Sequence, residues 1–167
     1  MAMVLATAGV ALILSGCSTE GSSLGLSELG GSFCSEPRDA PLALGVYLDN
    51  SGDRPITVVG IEPVDMTGLS VPEFRIMDAP DGPGTRLGLA EYPPTEELAD
   101  AWVSSRDAVG AMLSPGSNYD LVVKVEDGGE AGGKLGGVRV TYEESGRERS
   151  ETALVPLEFA ASLNDCS

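Results

Sequence analysis

Leu42, Leu44, Val46 and Leu48 alternate with Ala43, Gly45, Tyr47 and Asp49. This two-residue period gives one apolar face only if the backbone is extended, as in a half-buried strand. The same period returns at Leu121, Val123 and Val125, at Val138, Val140 and Tyr142, and at Ala153, Val155, Leu157 and Phe159. Ile56–Ile61 reads as a partner to the first run across the turn residues Asn50 to Pro55, and Phe74 with Ile76 marks another strand. Pro156 lacks an N–H to donate, which places the last strand at a sheet edge or at a bulge. Loops rich in Gly, Pro and Asp separate these runs, and no strand–helix–strand rhythm appears. An all-β antiparallel sandwich follows.

Residues 85–114 break the pattern. Pro94, Glu96 and Glu97 ahead of Trp102 suit a short helix, since proline and early acids favour a helix start, with Thr95 as its cap. Long connections in a sandwich are common carriers of binding function. Tyr92 and Trp102 are therefore candidate contact residues for a partner; the competing expectation is that Trp102 plugs one end of the sandwich core. The Gly128–Gly133 run, which carries Glu130, reads as a flexible hairpin loop and not as a phosphate cradle.

Two short segments resemble bacterial immunoglobulin-like modules. Leu113-Ser114-Pro115-Gly116-Ser117 before Tyr119 is similar to the Pro-Gly turn that precedes a strand in such modules. The Asn50-Ser51-Gly52-Asp53-Arg54-Pro55-Ile56 stretch is similar to their corner between early strands. The resemblance implies an immunoglobulin-like antiparallel β-sandwich over residues 42–159, without an assigned activity. The Cys-Trp-Cys core of antibody domains is missing.

The N-terminus carries a different signal. Val10-Ala11-Leu12-Ile13-Leu14 runs into Ser15-Gly16-Cys17, and then into polar Ser18-Thr19-Glu20. As a helix, residues 1–14 would span about 21 Å, short of the roughly 30 Å hydrocarbon core of a bilayer. Such a run reads as a processing signal. Leu14-Ser15-Gly16-Cys17 resembles the lipobox of bacterial lipoprotein precursors, although residues 1–16 contain no Lys or Arg, unlike most export signals. The resemblance implies a diacylglyceryl group on Cys17 and signal-peptidase recognition through Leu14, Ser15 and Gly16. It implies anchorage to the extracytoplasmic face of a cell membrane, or of an outer membrane where one exists. The expected plan is a signal peptide at 1–16, the lipidated Cys17 with a Ser/Gly-rich tether at 17–33, and a β-sandwich domain at 34–167.

With Cys17 given to lipid, Cys34 and Cys166 remain, and outside the cytoplasm they are expected to form a disulfide. Such a bridge would close a loop of more than a hundred residues, worth about 4–5 kcal/mol by the chain-entropy argument.

The chain has 26 acidic and 10 basic residues, a formal charge of −16, which makes nucleic acid an unfavourable partner. Histidine is absent from all 167 residues, which removes Ser-His-Asp and Cys-His catalysis and the usual zinc sites. No cofactor or metal is expected. Calcium is disfavoured, because neither Asp49 with Asp53 nor Asp78 with Asp81 has EF-hand spacing. The leading expectation is a non-enzymatic, lipid-anchored binding or accessory module that meets an unidentified envelope protein or ligand. The alternative is a carboxylate-dependent envelope hydrolase or carbohydrate-binding protein.

Overall fold

A computed structural model describes residues 24–26, 31–79, 88–95, 98–128 and 132–162. The signal-peptide and lipobox positions and Cys166 lie outside these residues. Among the described residues, eleven strands form two sheets. The first sheet is ordered β1-β3-β9-β5-β7, where β1 is Leu24–Leu26, β3 Leu42–Asn50, β5 Leu69–Asp78, β7 Arg106–Asp107 and β9 Asn118–Asp127; β6 (Leu89–Glu91) also pairs with β3. The second is ordered β2-β11-β10-β4-β8, with β2 Gly31–Ser35, β4 Ile56–Val64, β8 Met112–Leu113, β10 Gly133–Glu144 and β11 Ser150–Ala161. The major strands β3, β9 and β5 lie opposite β11, β10 and β4, the Greek-key arrangement of immunoglobulin-type sandwiches.

The alternating apolar positions meet between the sheets. Leu44, Leu48, Leu121 and Val123 from one side pack with Val58, Val138, Val140 and Leu157 from the other. Pro156 lies at a register shift between β10 and β11, so its missing donor is absorbed by a bulge.

Four expectations need correction. Ile56–Ile61 is not a partner to the 42–48 run: β4 pairs with β10 and β8 in the second sheet, so the turn at 51–55 crosses between the sheets. Within the 17–33 tether, β1 pairs with the end of β3, and Leu24 is 2% exposed in the core. Burial of that leucine draws the chain onto the domain before residue 34. The sheets are also not wholly antiparallel, because β2 runs parallel to β11, with Cys34 opposite Ala160. Finally, β3 is not half-buried; Leu42 to Leu48 are buried on both faces.

The last correction has its cause in residues 88–113. From β6 beside β3, the chain passes through the short helix α1 (Ala99–Val103) to β7 beside β5, and then to β8 beside β4. It thus straps the outer face of the first sheet and turns onto the second. The helix is shorter than expected, with Leu98 and not Thr95 at its cap position and no side-chain cap bond.

Candidate functional site

Tyr92 and Trp102, the two candidate contact residues, come together on this strap. Their rings meet edge to face, 5.2 Å between centroids with planes at 83°. They are half-buried and, with Leu98, Ala90 and Ala101, pack on a strip of Ala43, Met77 and Val122 from the outer face of the first sheet. Trp102 therefore does not plug the end of the sandwich. It covers a sheet face whose small and apolar side chains would otherwise meet water.

Charges flank the aromatic pair on both sides. The Arg75 guanidinium lies 5.3 Å from the Trp102 ring centroid, and Lys124 Nζ lies 5.1 Å from that of Tyr92. Arg75 donates from Nε to Ser105 Oγ at 2.9 Å and from Nη2 to the Ser105 carbonyl at 2.7 Å. Its Nη1 is 3.2 Å from both Glu73 and Asp107 carboxylates. The Tyr92 hydroxyl donates to Glu73, which is the main reason that carboxyl is held below its ordinary value, with Arg75 and Lys124 adding to the effect. Burial, and then Glu73, push the Tyr92 hydroxyl upward. The cross-strand register explains the convergence, since Lys124 stands opposite Glu73 and Val122 opposite Arg75. Sequence reading found the two rings; it did not find Glu73, Arg75 or Lys124, which alternate with apolar residues like any solvated strand face.

Chemically, this arrangement is a clamp. Arg75, Glu73, Tyr92 and Lys124 have polar partners within the chain, and the cluster holds the strap across β3, β9 and β5.

Two hollows lie elsewhere. One, of about 380 Å³, is lined by Phe33, Asp65, Lys134 and Glu158 among others. The second, of about 420 Å³, includes Asp78, Ser117 and Asn118, and Asp78 pairs with Arg106 at 3.0 Å. Among the described residues no group of three or more Cys, Asp or Glu side chains is placed to hold a metal ion. None of the described helices is long and apolar enough to cross a membrane. Cys34 sits half-buried on β2. No family model matches the chain, and no curated protein matches it.

Proposed function

We propose that this chain is a lipid-anchored, extracytoplasmic binding or accessory module of a bacterial envelope, without catalytic chemistry of its own. The observation that carries the reading is the run Leu14-Ser15-Gly16-Cys17 at the close of a short apolar segment. The fold gives it a geometric consequence. Leu24 pairs with Asn50, at the sandwich end that also carries loops 51–55, 114–117 and 145–149. Seven steps of chain from Cys17 to Leu24 reach at most about 25 Å, so this end stays near the bilayer. The turn at 65–68 and the far ends of β9 and β11 point away from it.

A Cys34–Cys166 bridge belongs to the same reading. Its support is that Cys34 stands opposite Ala160 on β11, six residues before Cys166. It would staple β2 to the C-terminus in a non-reducing compartment.

The test is the mass of the mature N-terminus, with Cys17→Ser as control. A chain that begins at a diacylated Cys17 and leaves the membrane fraction on Cys17→Ser substitution supports the proposal. Mature material that begins at Met1 and carries no acyl chains ends it. The alternative, carboxylate chemistry on a saccharide, would act in the hollow shared by Asp65 and Glu158. Hydrolysis of envelope glycans that is lost in both Asp65→Asn and Glu158→Gln would favour it.

A further inference from the structure

The strap covers one outer face of the sandwich, and no other described residues lie over the second. That second face is formed by β4, β10 and β11 with the edges β2 and β8. On a chain of net charge −16, its described residues include Lys134 and Arg139 against Glu62, Glu143 and Glu158, with Asp65 at its rim. Around the Arg139–Glu62 ion pair, Thr57, Gly60, Thr141 and Thr152 lie among Leu154, Val59 and Met112, which are 55%, 40% and 61% exposed. Two copies of so acidic a protein can approach here with the least repulsion.

We propose that this face pairs with the same face of a second copy, about a two-fold axis that runs along the strands between β4 and β10. The proposal rests on the anchored reading, because only an axis along the strands brings both anchor-proximal ends to one membrane. The register makes the face self-complementary. Arg139 stands opposite Glu62, and the rotation exchanges them, so each arginine meets the glutamate of the other copy and the four charges alternate in sign. Thr141 stands opposite Gly60, whose missing side chain leaves a gap that Thr141 of the other copy can fill. From strand spacing and rise, the face measures roughly 600 Å² per copy in projection, which puts the pair at the lower end of stable specific interfaces.

The test uses the full chain in its native membrane. Thr141→Cys places a thiol beside the axis, and Glu91→Cys places one on β6 of the opposite sheet. A short bis-maleimide should join Thr141→Cys chains into homodimers and leave Glu91→Cys chains monomeric. In the Thr141→Cys background, Arg139→Glu or Glu62→Arg should each lower the yield about tenfold, and the two together should restore most of it. Equal yields from the two cysteine positions would overturn the pairing, as would cross-links only to a different protein or single reversals without effect. If a reversal unfolds the domain, the comparison of the two cysteine positions decides alone. The acyl mass of Cys17, read on the same samples, separates the two readings. Dimers with an unacylated Cys17 would leave the face standing and remove the anchor, whereas an acylated Cys17 without dimers would do the reverse.

Discussion

Asn50, fully buried at the end of β3, donates from Nδ2 to the Leu113 carbonyl at 2.9 Å, across 63 residues of chain. The same amide group donates to the Arg54 carbonyl at 2.7 Å, and Oδ1 accepts from the Gly52 N–H at 3.1 Å. One side chain thus closes the turn after β3 and ties it to the end of the strap. The Asn-x-Gly corner visible in the sequence is this arrangement.

Asn50→Ala leaves the buried Leu113 carbonyl and the Arg54 carbonyl without this donor. A loss of about 2–4 kcal/mol in unfolding free energy is expected from urea titration. Asn50→Asp should cost a similar amount, because it keeps the acceptor and removes the donors.

Trp102→Ala uncovers the Ala43, Met77 and Val122 strip and removes the ring under Arg75. For a half-buried tryptophan a destabilisation of about 2–3 kcal/mol is expected. The indole is the only one in the chain, so its fluorescence reports the strap directly. Arg75→Ala should shift that emission to the red while the sandwich core remains folded by circular dichroism.

Strap stability should have an acid limit and an alkaline limit. Glu73 has a folded pKa below its ordinary 4.5, so its contribution is complete above that value and is lost as pH falls through the folded pKa. Tyr92 has a folded pKa above its ordinary 10.0, so its contribution is complete below that value and fades as pH rises above it. Trp102 emission followed against pH should show both limits. Glu73→Gln should remove the acid limit, and an unchanged acid transition in that variant would contradict the assignment.

Gly68, Gly128 and Gly132 close the end of the sandwich opposite the Asn50 turn. Gly128 donates its N–H to the Gly68 carbonyl at 2.9 Å, and a Cβ on Gly128 would stand 2.6 Å from that oxygen. Gly132 has φ +68°, and a Cβ there would collide with the Ala161 carbonyl. Gly132→Ala should therefore cost about 2 kcal/mol or more, well beyond a propensity effect, in thermal or urea unfolding. Gly128 and Gly132 are required by backbone approach at these positions, which a reading of the run as a flexible loop does not foresee.

If Cys34 and Cys166 are joined, reduction should lower stability by about 4–5 kcal/mol, and Cys34→Ser should abolish the sensitivity to reductant. Non-reducing peptide mass spectrometry that finds both thiols free would rule out the bridge.

Local chemistry along the chain was enough to decide the class of fold and most of its strands. Alternation at 42–48, 121–125 and 153–159 needs only a two-residue period, and the Pro156 irregularity needs only a missing N–H. The apolar run before Cys17 is equally local. What the strap does was decided by tertiary structure alone. Glu73, Arg75 and Lys124 look like solvated strand residues until the strand register and the returning chain set Tyr92 and Trp102 over them. Burial of Ala43 and Tyr47, the parallel pairing of β2 and the docking of Leu24 likewise depend on neighbours distant in sequence. Periodicity records which side a residue points to, whereas only packing records what covers that side.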